Sequence, residues 1–289
     1  MPPYVSRILP SLRAASRLRQ NAYRRHSTLP CFSLEGKTCV VTGSSQGLGQ
    51  QIMAAFACSG AKGAVVDLSI DSAKQSVEFI NTEVKKSNLP PAELRGYECD
   101  TSDEAAVKKT FDQIVKDFGK VHVVVTNAGI TGGAPAEDYP FDEWKKMLEV
   151  NVNGTFLFAR AAAKHMIQEK IGGSIVMISS MSGSIVNRPQ KQSAYNTSKA
   201  ATAQMMKSFA VEWAPHGIRV NCISPGYIQT TANEGEEMEK LSKEWINYIP
   251  MGRIARPEEF RGTAVYMASD ASSYLTGAEL IVDGGYTVL

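Results

Sequence analysis

The stretch TCVVTGSSQGLGQQIMAAFA, residues 38–57, decides how the rest of the chain is read. It begins as an apolar, β-branched run, breaks at closely spaced glycines, and continues as an alanine-rich segment. That order is strand, tight turn, helix. Gly43 permits the sharp turn, Gly47 lets backbone come close to a ligand, and Gly49 lets the helix pack against the strand. The helix start offers unpaired N–H groups and a positive dipole end, the arrangement that holds a pyrophosphate. Ser45 and Leu48 belong to the same turn.

Outward from this stretch the alternation repeats. The runs TCVVTG, GAVVDL, LRGYECD, VHVVVTNAG, GSIVMISS, IRVNCISPG and AELIVDGG are nearly continuous and rich in valine and isoleucine. Strands buried on both faces of a parallel sheet have this composition. Between them the spacing predicts helices over about 47–60, 71–87, 102–118, 141–170, 193–215 and 257–269. Asp71 and Ser102 are placed to cap helix starts, and Gly60, Gly119 and Gly217 to stop helices. The pattern predicts an α/β fold: a Rossmann-type doubly wound parallel sheet, in a single domain over residues 31–289. Residues 227–256 break the rhythm. Such an insertion after a strand either covers a ligand site or forms a solvent-facing helical excursion.

A chain of 289 residues fits one such domain and a short appendage. No apolar run reaches the length of a membrane span. The formal charge of +2 hides six arginines and no acid within residues 1–34. Without them the domain is mildly acidic, which gives no reason to expect nucleic acid as a partner. The five cysteines are widely spaced, and Cys39, Cys99 and Cys222 fall in strand runs, so they read as buried free thiols. No spacing of Cys or His suggests a metal site.

Residues 1–30 are arginine-rich and acid-free, with Ile8, Leu9, Leu12, Ala15 and Leu18 on a rough helical stripe. That composition predicts a mitochondrial presequence and a matrix location; a plain basic arm would leave the protein cytoplasmic.

Asp67 ends the second strand run, about twenty residues beyond the glycine turn, where a carboxylate can accept hydrogen bonds from an adenosine ribose. It also repels a 2′-phosphate, and no Lys or Arg stands at Leu68 or Ser69. NAD is therefore expected over NADP.

Further motifs follow in order: TNAG at 126–129, NVNG at 151–154, SSMSG at 179–183, YNTSK at 195–199 and PG at 225–226. With TGSSQGLG at 42–49, they make residues 34–289 resemble the short-chain dehydrogenase/reductase family. The resemblance implies that Asn127, Ala128 and Gly129 line the cofactor and that Asp100 faces the adenine. It also implies that Pro225, Gly226, Ile228 and Thr230 hold the nicotinamide end, and that Asn151 anchors a water chain. TNAG departs from the commoner NNAG.

Reducing a ketone needs a hydride on carbon and a proton on oxygen. Tyr195 is the candidate proton donor. Lys199, one helical turn later, brings positive charge to the same face and is expected to lower the phenol's pKa. The resemblance gives Lys199 a second task, bonding the nicotinamide ribose. The family's serine pattern fits Ser180 before Gly183; the longer loop through NRPQKQ at 187–192 keeps Ser182 in play. The serine would hold the developing alkoxide. None of the four histidines has an evident role.

The loop between serine and tyrosine is polar: Asn187, Arg188, Gln190, Lys191, Gln192 and Ser193. Such a wall suits a small polyhydroxylated substrate. SGSIVNRPQKQSAYNTSKA also resembles the fungal polyol branch of the family, and Asp67 resembles that of its NAD-using D-arabinitol 2-dehydrogenases, which form D-ribulose. Two alternatives stand beside this: a mitochondrial 3-oxoacyl-carrier-protein reductase, and a dinucleotide-binding scaffold without turnover. The resemblance further implies a homotetramer.

Overall fold

The computed structural model describes residues 29–229 and 236–288. The basic N-terminal segment through residue 28, with its presequence expectation, and Thr230 lie outside them.

Each apolar run forms its strand: β1 (Thr38–Thr42), β2 (Lys62–Asp67), β3 (Leu94–Glu98), β4 (Val123–Thr126), β5 (Gly173–Ile178), β6 (Ile218–Pro225) and β7 (Glu279–Val282). They pair in parallel in the order β3-β2-β1-β4-β5-β6-β7. The strand order reverses between β1 and β4, which opens a crevice at the strands' carboxyl ends.

The helices are α1 (Gly47–Cys58), α2 (Ile70–Lys86), α3 (Glu104–Phe118), α4 (Phe141–Leu148), α5 (Gly154–Glu169), α6 (Ser193–Trp213), α7 (Glu236–Ile246) and α8 (Arg261–Ala268). No helix among the described residues is long and apolar enough to cross a membrane.

Side chains alternate between the sheet's faces with a period of two, and the register shows it. One row, Ala64–Val40–Val124–Ile175–Val220, packs with Phe111, Phe158 and Met206. The next row, Val65–Val41–Val125–Val176, packs with Ile52, Phe56, Ile80 and Phe260. A slip of one residue would exchange the two cores, so the register is firmly specified.

Two local expectations are corrected and one open alternative is decided. The segment 141–170 is not one helix: a π turn at Glu149–Asn153 separates α4 from α5. The turn carries Asn151, whose side chain bonds both the N–H and the C=O of Ile130 at 2.8 and 2.9 Å. Helix caps fall on neighbours of the residues expected. Ser69, not Asp71, accepts the N–H of Ser72 at the start of α2. Asp103, not Ser102, accepts those of Ala105 and Ala106 at the start of α3. The Ser102 hydroxyl is taken by Asp100 at 2.6 Å, which leaves the cap to its neighbour. Finally, the insertion after β6 contributes α7 as a wall of the crevice, because Leu241 and Trp245 line it.

Two histidines have structural work. His122 Nδ1 accepts the N–H of Thr38 at 3.0 Å, and His165 Nε2 accepts that of Val121 at 3.1 Å. Burial lowers the pKa of both, which keeps them neutral and able to accept.

Candidate active site

The glycine turn is built by exclusion. Gly43 has φ +60°, and a Cβ on it would lie 2.7 Å from Ala128 Cα. A Cβ on Gly49 would collide with the Gly43 carbonyl oxygen and the Asn127 amide. The space so saved lets β4 press against the turn. Asn127 braces it, donating from Nδ2 to the carbonyls of Thr42 and Gly43 at 2.9 and 2.8 Å. The N–H groups of Asn127 and Ala128 both donate to Thr42 Oγ1. Asn127 and Gly129 line the crevice, with Leu48 across from them at the start of α1. Helix α1 has no side-chain cap at Gln46, so its first N–H groups remain open to an anion.

Asp67 stands beside the turn. Its Oδ2 accepts the N–H of Ser45 and its Oδ1 that of Leu68, each at 2.8 Å. The carboxylate is thus fixed at the end of β2, where a ribose would meet it. Asp100, two residues beyond β3, is exposed and holds Ser102. Pro225, Gly226 and Ile228 line the far side of the same cavity, which encloses about 730 Å³. That volume suits a small ligand beside the end of a cofactor.

Tyr195 and Lys199 are one turn apart on α6, and both line the cavity. Lys199 Nζ donates to the Ile178 carbonyl at 3.0 Å and lies 5.6 Å from the centroid of the Tyr195 ring. The expected charge balance is not what the protein alone provides. Burial lowers Lys199 to about 8, and burial raises the Tyr195 phenol above its ordinary value. The ammonium resists desolvation as the phenolate does, and it is anchored over the ring face by a backbone carbonyl. The Ser180 side chain opposes the rise at Tyr195.

The three serines are bonded differently. Ser179 Oγ donates to the Lys199 carbonyl at 2.7 Å. Ser180 Oγ donates to Ser182 Oγ at 3.1 Å, Ser182 Oγ also accepts from Gln192, and both serines line the cavity. The turn Met181–Gly183 fits against α6 because Gly183 has no side chain; a Cβ there would lie 2.8 Å from the Lys199 carbonyl carbon. Asn151 is 1% exposed and bonds Ser198 on α6 at 3.0 Å as well as Ile130. Its side chain thereby ties the segment after β4 to the helix that carries Tyr195.

Beyond Ser182 the wall is polar, as the loop composition suggested. Gln192 Nε2 donates to Asn187 Oδ1 and Asn196 Oδ1, and the Tyr227 hydroxyl joins Asn187 to Gln190. Arg188 and Ser193 are not part of the cavity wall, whereas Lys191 is. Sequence reasoning passed over Tyr227 and Trp245. Their rings stack with centroids 4.1 Å apart, and Tyr286 meets Tyr227 edge-on at 5.5 Å. The spacing of Leu241 and Trp245 was the available signal, since residues four apart share one helix face. No cluster of potential metal ligands occurs among the described residues.

Comparison with known proteins places this geometry. A family model described as enoyl-(acyl carrier protein) reductase matches residues 43–287. A ribulose-forming D-arabinitol 2-dehydrogenase of Candida tropicalis is 40% identical over 267 residues, covering 89% of this chain and 95% of that protein. An NADP-dependent mannitol dehydrogenase of Alternaria alternata is 40% identical over 259 residues, covering 89% of this chain and 94% of that protein. Among solved structures, a short-chain type dehydrogenase/reductase from Mycobacterium marinum superimposes with a TM-score of 0.81 at 38% identity, covering 90% of this chain and 98% of that one.

Proposed function

The chain belongs to the short-chain dehydrogenase/reductase family and is one of its oxidoreductases; from that premise we propose that it interconverts a polyol and a ketose with NAD(H), with D-arabinitol and D-ribulose as the leading pair. The observation that carries this reading is the run of amide and hydroxyl groups that continues from Ser180 and Tyr195 along the cavity wall. A chain of hydroxyls can be matched there, and a hydrocarbon chain cannot.

The cofactor crevice fits a dinucleotide: the glycine turn and open start of α1 would hold its pyrophosphate, and Gly129, Pro225, Gly226 and Ile228 its nicotinamide end. When bound, the nicotinamide supplies or receives the hydride. Tyr195 gives the carbonyl oxygen its proton in reduction and takes it back in oxidation. Ser180 positions that oxygen. The positive charge of Lys199, strengthened by an oxidised nicotinamide nearby, favours the phenolate when the alcohol is the substrate. Asp67 supports NAD, because its anchored carboxylate would face a 2′-phosphate with like charge. The relatives use either dinucleotide by name, so Asp67 carries this choice alone.

Initial rates with pentitols, hexitols, ketoses and 3-oxoacyl thioesters, each with NAD(H) and NADP(H), test the reading. Highest kcat/KM for a pentitol or pentulose with NAD(H) is expected; faster turnover of thioesters would overturn it. The relatives give the 3-oxoacyl alternative no support. We further propose a homotetramer, for which exposed Val211 on α6 and exposed Leu280 and Val288 near the C-terminus offer apolar surface. A matrix location rests on the basic N-terminal segment. Light scattering and N-terminal sequencing of native protein check these two.

A further inference from the structure

Lys199 is held at two points, and both lie at the end of β5. The pairing of β4 with β5 runs only as far as Thr126 and Met177. The next peptide, between Ile178 and Ser179, has a strand partner on its other side: the Ser179 N–H donates to the Ile223 carbonyl of β6 at 2.9 Å. In a trans peptide the N–H and the C=O point opposite ways, so this bond turns the Ile178 carbonyl toward the side that β4 no longer covers. There it accepts from Lys199 Nζ at 3.0 Å.

The second point is the main chain of Lys199. Ser179 is 2% exposed, and its Oγ donates to the Lys199 carbonyl at 2.7 Å. Lys199 lies within α6, where helix geometry already gives that carbonyl the N–H four residues on. The serine bond therefore takes its second lone pair and adds nothing that the helix itself requires. It ties the helix to the strand end, and Gly183 leaves room for the approach, because a Cβ there would lie 2.8 Å from the Lys199 carbonyl carbon. One residue thus grips the lysine twice: the peptide before Ser179 holds the amine, and its side chain holds the backbone.

We infer that Ser179 is a positioning residue for the proton step, because its hydroxyl sets the reach of the Lys199 ammonium toward the Tyr195 phenol. The inference rests on the reading in which Tyr195 transfers the proton beside Lys199. The ammonium lies 5.6 Å from the centroid of the Tyr195 ring, a range over which a charge in a dry site acts strongly on the acidity of its neighbour. Among the described residues, the titratable groups that face Lys199 are Tyr195 on its own helix and Cys222 on β6. Burial pushes the Cys222 thiol up to about 12, so it stays uncharged near neutral pH. A pH profile that moves when Ser179 is altered therefore reports the Tyr195–Lys199 pair.

Ser179→Ala tests this in the direction of alcohol oxidation, where the phenolate is the active form, with NAD and the alcohol of the panel that turns over fastest. The pH at which kcat is half-maximal should rise by about half a unit to one unit, because the displaced ammonium stabilises the phenolate less. Below that midpoint the rise amounts to a fall in kcat of about three- to tenfold, with KM for the alcohol unchanged. A bond that only packs the helix would lower kcat and the melting temperature and leave the midpoint in place, and that result overturns the inference. An unaltered kcat and profile overturns it too. Ser179→Cys fills the same space with a far weaker donor and answers the question if the alanine enzyme does not fold. It should move the midpoint upward as well, and a wild-type profile in this variant sinks the inference. Undiminished turnover by Tyr195→Phe would instead overturn the proton-transfer reading itself, whatever Ser179 does.

Discussion

The two sides of the crevice are built on opposite terms. On the cofactor side, around the β1–α1 turn, side chains are removed or turned inward. Gly43 and Gly49 have no room for a Cβ, and Asn127 and Asp67 spend their polar groups on neighbouring backbone. On the substrate side, side chains carry the surface: Gln190, Gln192, Tyr227 and Trp245 face one another across a loop and an inserted helix. A site for an invariant ligand can be shaped by backbone. A site that selects among alcohols needs groups that can be exchanged. The contrast predicts that changes on the first side act through stability and cofactor affinity, and changes on the second through substrate alone.

Tyr195 lies where the two meet and gives the largest expected effect. Tyr195→Phe removes the proton donor and leaves the ring on α6, so kcat should fall by about 10²–10⁴ while the melting temperature holds. Steady-state NADH absorbance with a responsive substrate, beside a thermal melt, checks both halves. Loss of activity accompanied by a large fall in Tm would place Tyr195 on the structural side of the comparison.

Gly49→Ala comes next and belongs wholly to the cofactor side. The added methyl meets backbone that cannot move without breaking the Asn127 brace. Destabilisation of about 1–3 kcal/mol is expected, with a weaker Kd for NADH by fluorescence titration. The KM for the alcohol at saturating NAD should stay near the wild-type value; a selective rise in that KM would break the contrast.

Much of the cofactor side could be read from the linear sequence for the same reason that it is rigid. Glycine spacing and unbroken valine runs are local signals, and the parallel order follows from them. The substrate side depends on contacts between residues far apart in the chain, such as Tyr227 with Trp245 and Tyr286, and no local pattern announces these. The π turn at Asn151 was invisible because one extra residue barely disturbs a helical period over a segment this short. The caps were missed by one or two residues because Ser69 and Asp71, or Ser102 and Asp103, are chemically equivalent until the backbone chooses. Ser180 is favoured from its spacing to Gly183, and both it and Ser182 line the cavity with Tyr195.

A smaller effect concerns the opposite end of the sheet from the crevice. His122 and His165 accept strand N–H groups as neutral rings, and burial lowers the pKa of each. A lowered folded pKa means that the unfolded chain binds protons more readily. The stabilisation is therefore complete above about pH 6.5 and is lost as pH falls through the folded values. The slope is bounded at about 1.4 kcal/mol per pH unit for each histidine, and the solvent contact that both retain makes it smaller. Urea midpoints between pH 7.5 and 5 should fall with acid, and His122→Gln, which keeps an acceptor without titrating, should flatten part of that fall. An unchanged slope in the variant would mean that other groups govern acid stability.

The smallest effect sharpens the comparison most. Thr126 Oγ1 on β4, like the Trp245 indole nitrogen, is buried without a partner among the described residues. The chemistry of the two orphans is alike, but their surroundings differ. Trp245 lines the cavity; Thr126 is enclosed in the sheet and does not. A buried hydroxyl without a partner carries its desolvation cost. Thr126→Val keeps the β-branched shape and removes the hydroxyl, so it should raise stability by about 1 kcal/mol, read as a higher urea midpoint, with kcat and every KM unchanged. Trp245→Ala, on the substrate side, should raise substrate KM, because it removes the ring stacked on Tyr227 in the cavity wall. If Thr126→Val instead lowers the midpoint, the hydroxyl is bonded in solution and carries no unmet cost.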